Sequence, residues 1–364
     1  MTHSPNARVA VCVVIWLAIF DFGVDILFKP TTSAIAASGL QRYFEYGRSI
    51  EGKLRIAVAG EPLDNPILSA GWIDDKALRE VPTVAPAGSD LSVTVYGQSF
   101  AFNAGRAAAL IDGRIALRAI GGPGAPPNHS YAAFQADSVA RKSNAVVFGI
   151  MSSAVPLMGS MSGLVSRFEN PAPFTYPRYH LVNGQLTEEV PAIRSEAAFR
   201  DAFSRYSPEW QQFKAQLRTS DRGYDRFTFD ETIADKSSAV RLMRRGWVAH
   251  DRAYEYGVYE SVTGFNPTSE EILVLKAMLA EMARQSRDRN EHLIVLLLHM
   301  RGYGSQLSEV LEDTLKALKI DYISTHTLFS ANDPSNFVPD GHYTESANRL
   351  LAQALLNKLR RSGA

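Results

Sequence analysis

Val93-Thr94-Val95-Tyr96-Gly97-Gln98-Ser99-Phe100 alternates like a strand and then breaks at a glycine and a short polar pair. Alternation with a period of two marks a strand, and residues 101–110 that follow have helical spacing. Ser99 therefore falls on a strand-to-helix turn at the carboxyl edge of a sheet, where open α/β folds bind ligands. A hydroxyl there gains from the free N–H groups of the helix N-terminus, which favour developing negative charge. The same position suits a plain helix N-cap, so the turn alone does not define a nucleophile.

Working outward, residues 92–96, 115–120, 145–150 and 293–298 read as strands, with a short one near Tyr322. Between and after them, Thr268 and Glu271 have capping-box spacing ahead of a helix reaching about Arg287. Further helices are expected over residues 307–318 and 344–359. Strands alternating with helices predict an α/β domain with a mainly parallel sheet covered on both faces. Residues 164–266 lack that rhythm and are rich in aromatics: Phe174, Tyr176, Tyr179, Trp210, Phe213, Tyr224, Phe227, Phe229 and Trp247. So long a stretch inside a compact domain must be structured. It reads as a cap whose aromatics face sugar rings, or as a satellite core of its own. Residues 31–90 mix small, charged and proline-containing stretches, read as a stalk and lead-in region.

A second block, Val338-Pro339-Asp340-Gly341-His342-Tyr343-Thr344-Glu345, precedes the last helix. Histidine is the usual general base near neutral pH, and Asp340 would orient the His342 ring and stabilise its charged form. Nucleophile, acid and base then run Ser99, Asp340, His342. Read by itself, the block is a Pro-Asp-Gly turn feeding a helix.

Together the two blocks resemble the SGNH (GDSL-like) hydrolases, in which an N-terminal Gly-Asp-Ser block holds the serine and a C-terminal block holds the Asp and His. Tyr96-Gly97-Gln98-Ser99-Phe100 matches the first block, with Gln98 where the family carries Asp. The resemblance implies a flavodoxin-like three-layer α/β/α domain over residues 91–364, with a cap-like insertion at about 164–266. It also implies an oxyanion hole built from the Ser99 N–H, a glycine of a second block and an asparagine of a third. Gly121-Gly122-Pro123-Gly124 follows the strand ending at Ile120 and resembles the second block, with Gly124 as donor. In the third block the chain reads Ile150-Met151-Ser152-Ser153, so Ser152, or else Ser153, would replace the asparagine; Asn128 is another candidate. Gln98 and Asn128 are the expected substrate contacts. Asp340 stands two positions before His342, where the family usually has three.

The resemblance implies an esterase, or an O-acyltransferase when a sugar hydroxyl accepts the acyl group. It equally admits a non-catalytic protein that binds or assembles polysaccharide, with an export or modification machinery as partner. The classical α/β-hydrolase elbow fits less well, because Ala101 occupies its final glycine. His129 follows Asn128 and has a possible substrate role, whereas His250, His299 and His326 have no motif around them. No HExxH pair or phosphate-cradling loop occurs, so neither metal nor cofactor is expected. Lys and Arg number 38, as do Asp and Glu, giving no field to attract nucleic acid.

The single cysteine, Cys12, lies in an apolar run over residues 9–20 that continues more weakly to Phe28. About 20 residues of helix span a bilayer, and an uncleaved single-pass anchor is the favoured reading although Asp21 and Asp25 fall within it. A signal peptide cut near Ala34-Ile35-Ala36-Ala37 is the alternative. Lys29, Arg42 and Arg48 oppose export by charge, but long domains translocate regardless. The body is therefore expected outside the cytoplasm, on the periplasmic side, with an exported or cell-surface glycan as substrate.

Overall fold

The computed structural model describes residues 5–28, 43–59, 66–250, 255 and 257–361. Its centre is a six-stranded sheet of β1 (Thr83–Val84), β2 (Leu91–Gly97), β3 (Ile115–Gly121), β4 (Ala145–Met151), β5 (His292–Leu298) and β6 (Asp321–Ser324). Across the sheet the order is β1-β3-β2-β4-β5-β6. All neighbours run parallel except β1, which pairs antiparallel with β3. Without that edge strand the order is that of a flavodoxin-like doubly wound sheet.

Alternation within the strands sorts side chains into two layers. Tyr96, Val146, Phe148, Ile150, Val295 and Leu297 meet helices Pro127–Ala136, Glu270–Asp288 and Gln306–Ala317 on one face. Val93, Val95, Val147, Ile294, Leu296 and Leu298 meet Ser99–Ile111 and Glu345–Arg361 on the other. Burial of one such side chain contributes roughly 1.5–3 kcal/mol. β4, buried at every position, and β5, buried beyond His292, therefore hold the centre of the sheet firmly in place.

A third apolar cluster belongs to the middle of the chain. Phe174, Tyr176, Phe199, Phe203, Trp210, Phe213 and Phe229 are all at most 2% exposed and pack together. The satellite-core reading therefore holds for most of these aromatics; Phe227 and Trp247 are the exposed exceptions. Ile50, Leu54, Leu68 and Trp72 complete the same cluster. Residues 43–59 and 66–80, expected in a stalk and lead-in region, are thus packed into the body. Glu51 ties them down: it is fully buried and accepts hydrogen bonds from Trp210 Nε1 (2.8 Å), Tyr206 Oη (3.1 Å) and the Glu231 N–H (2.8 Å), beside Lys214 Nζ at 2.9 Å. The helix after residue 268 is capped by Ser269, whose hydroxyl accepts the Ile272 N–H. Thr268 instead bonds the Asn266 side chain, so the N-cap falls one residue later than expected and, with Ile272 at its third position, the expected capping box does not form.

At the N-terminus, helix Pro5–Phe28 contains a 20-residue stretch, Arg8–Leu27, long and apolar enough to cross a membrane. Its side chains stand largely free of the body, except near its end. There Asp21 accepts the Ala239 N–H and Asp25 accepts the Ser238 hydroxyl, both at 2.8 Å. The small-residue stretch at residues 34–37 lies outside the described residues.

Candidate functional site

Close backbone approach lets helix Ser99–Ile111 sit on the carboxyl edge of the sheet. A Cβ on Gly121 would come within 1.7 Å of the Gly97 carbonyl oxygen, and one on Gly149 within 2.4 Å of the Ala101 Cβ. Residues without side chains at the ends of β3 and β4 therefore allow helix Ser99–Ile111 to start directly above them. Gln98 takes the N-cap position with φ −120° and ψ −175°, and no side chain caps the helix. The first N–H groups of a 13-residue helix are left free beside Ser99.

Across the edge, the loop of residues 337–343 folds back on itself. The Val338 N–H donates to the His342 carbonyl at 2.8 Å, the Gly341 N–H donates to the Val338 carbonyl, and Gly341 has φ +88°. The left-handed value suits glycine, so the Pro-Asp-Gly turn is real and serves to present His342. The Ser99 Oγ and His342 Nε2 atoms, 243 positions apart in sequence, are 2.6 Å from each other. His342 Nδ1 stands 3.1 Å from Asp340 Oδ1, which also accepts the His342 backbone N–H at 3.0 Å. A proton on Nδ1 directed at Asp340 would leave Nε2 as the lone-pair nitrogen facing the serine. Those bonds hold Asp340 below the usual carboxylate range, led by the backbone N–H.

Phe100 lies flat on the imidazole, with ring centres 4.7 Å apart and planes 19° from parallel, and Tyr343 meets Phe100 edge-on at 4.8 Å. This packing fixes the ring plane, a role the sequence motif did not disclose although Phe100 directly follows the serine. The imidazole side chain is 33% exposed and the Asp340 side chain 68%. Solvent therefore reaches the Asp340 carboxylate and one part of the imidazole.

The remaining expected residues are placed less uniformly. Gly124 has φ +66° in the turn from Gly122 to Ala125 and stands against the exposed Arg167 side chain. Ser152 is 1% exposed and its oxygen accepts the Met300 N–H at 3.3 Å. Ser153 donates to Met300 Sδ at 2.9 Å. Met300, just beyond β5, thus organises both serines, and only its place at the sheet edge hints at this in the sequence. Gln98 is buried at the turn. Asn128 is not at a substrate surface: it is 1% exposed, and its amide nitrogen bonds the carbonyls of Met158, Ser160 and Pro177. The expectation that it donates to substrate or oxyanion is corrected accordingly. His129 is likewise interior, bonding the Gly71 carbonyl at 2.7 Å, with burial lowering its pKa to about 4. Among the described residues no cluster of His, Cys, Asp and Glu is arranged to hold a metal ion.

No protein-family model matches the chain, and no curated protein does. Among solved structures it is similar to a Bacteroides fragilis protein provisionally named an acylhydrolase, at 7% identity and a TM-score of 0.39. That match covers 79% of this chain and 94% of the other. The chemistry of the site rests on this chain's own residues.

Proposed function

We propose that this chain is a serine-dependent ester hydrolase of SGNH type, acting on O-acyl groups, above all O-acetyl groups, of an exported or cell-surface glycan. The observation that carries the reading is the 2.6 Å contact between Ser99 Oγ and His342 Nε2, backed by Asp340 on the far ring nitrogen. Nucleophile, base and orienting group in that relation are what acyl transfer through a serine requires.

In this mechanism His342 Nε2 takes the Ser99 proton as Oγ attacks the ester carbonyl. The tetrahedral oxyanion is received by the free N–H of Ser99 at the helix start, with Gly124 and Ser152 as further donors. His342 then passes its proton to the departing alcohol, leaving an acyl-enzyme. Water in place of that alcohol completes hydrolysis, and a sugar hydroxyl completes transfer. Helix Pro5–Phe28 holds the enzyme in the cytoplasmic membrane with the catalytic domain on the periplasmic side, near an export or modification machinery.

The test is turnover of para-nitrophenyl acetate by wild type and Ser99→Ala, paired with mass analysis of an added glycan acceptor. Release of acetate that disappears in the variant supports the hydrolase; a mass gain on the acceptor redirects the reading to an O-acyltransferase. Equal signals from both proteins, with glycan binding intact, would leave a non-catalytic polysaccharide-binding protein.

A further inference from the structure

Helix Ser238–His250 is built inside out. A helix on a protein surface normally turns apolar side chains inward and charged ones to water. Here Arg241 and Arg244 are 6% and 1% exposed, whereas Met243 and Trp247 are 60% and 50% exposed. The arginines are satisfied internally: Arg241 bonds the Asp235 carbonyl and Glu45, and Arg244 bonds the carbonyls of Phe227 and Gly47 and the Asp235 carboxylate. Trp247 touches the edge of Phe227, itself 40% exposed, and Ile233 in the turn feeding the helix is 84% exposed. Single exposed apolar residues are ordinary, but Met243 and Trp247, one turn apart on one helix face and joined by Phe227, form a group that marks a contact surface.

What covers this face is indicated by its neighbour. The helix begins on Asp21 and Asp25, which accept its Ala239 N–H and Ser238 hydroxyl. Both carboxylates lie in the last turns of the apolar stretch Arg8–Leu27. At 1.5 Å per residue they stand about 9 and 3 Å before its end along the axis. Bare carboxylates at that depth are costly, so these hydrogen bonds also explain why the apolar helix tolerates them.

We infer that helix Ser238–His250 lies in the interface of the same bilayer that the N-terminal helix crosses, with Met243, Trp247 and Phe227 seated among the lipid headgroups and upper acyl chains. This rests on the membrane-spanning reading of Pro5–Phe28 and adds a second, peripheral contact. Tryptophan prefers that zone, and interfacial helices bury their apolar face about 5–10 Å deep. Two contacts set at the same level hold the body in one orientation above the membrane, instead of letting it swing on a single helix.

The experiment uses the full chain in vesicles of phosphatidylcholine and phosphatidylglycerol, with Cys12→Ser removing the native thiol. A nitroxide is attached singly at Met243→Cys, Trp247→Cys, Leu17→Cys and the exposed Val139→Cys, and its collisions with oxygen and with a water-soluble nickel chelate are compared. Positions 243 and 247 should favour oxygen several-fold over position 139 and fall between it and position 17. If 243 and 247 match 139 while 17 reports lipid, the interfacial contact is overturned and the anchor stands. If 17 also matches 139, the spanning helix fails and the inference with it. Dipolar broadening between labels at 243 on separate copies would overturn it in favour of a second copy of the chain.

Discussion

At Asp340 the carboxylate is 68% exposed, whereas the serine and imidazole are packed by Phe100 and the helix start. Charge–charge interactions in water are screened, and exposed pairs contribute little. Asp340→Ala should therefore lower kcat/KM by only about tenfold to a hundredfold, well short of the roughly 10⁴-fold loss when a buried triad aspartate is changed. His342→Ala should cost about a thousandfold or more, because it removes the proton acceptor itself. Steady-state kinetics on a simple acetate ester checks both. A loss at Asp340 as large as that at His342 would mean that water does not reach the carboxylate in the working enzyme.

The glycines beneath helix Ser99–Ile111 make a prediction at the level of the element. Gly149→Ala puts a methyl group 2.4 Å from the Ala101 Cβ, so the helix must lift. Overpacking of this kind costs about 1–3 kcal/mol. Because Ser99 rides on that helix, kcat should fall more than folding stability alone explains, measured as activity of the fully folded variant alongside its urea midpoint. An unchanged kcat would show that the serine is positioned independently of the sheet.

Much at this scale was legible in the sequence. The strands and the helices around the two motifs have strong periodicity, and their observed ends differ from expectation by at most two residues where the pattern is clear, as at Leu91–Gly97 and Gln306–Ala317. The two-residue strand Thr83–Val84 and the helix opening at Pro127 carry too few patterned positions to announce themselves. At the site, Ser99, Asp340 and His342 were readable because a short motif marks each block. Asn128 was misjudged for the opposite reason: nothing in a local sequence says that an amide beside an oxyanion-like loop will be claimed by three carbonyls from residues 158–177. Long-range packing decides that, and it also turned a presumed stalk into part of the third core.

Over the whole molecule, buried titratable groups link folding to pH. His129, lowered by burial to about 4, favours its neutral form in the folded state. Its contribution is fully present above the ordinary histidine value and is lost as pH falls toward 4, by up to roughly 3 kcal/mol. Asp221, raised by burial to about 6 despite accepting bonds from Ser160, Met161 and Gly223, acts the other way: its contribution is present in acid and lost as pH rises through 6. The two partly cancel in the wild type, so single substitutions should unmask them. The stability gap between wild type and His129→Gln should narrow from pH 7 to pH 4, and denaturant titrations across that range test it. A gap independent of pH would mean that His129 protonation is not coupled to folding.

The proposed chemistry depends on one meeting of side chains at the carboxyl edge of the sheet, Ser99 Oγ with His342 Nε2. Its most direct test is intact-mass analysis after exposure to a fluorophosphonate, which adds covalently only to an activated serine. The wild type should gain one adduct mapped to Ser99, with Ser99→Ala unlabelled and His342→Ala labelled far more slowly. A wild type that remains unmodified, or an adduct that persists in Ser99→Ala, would contradict the account.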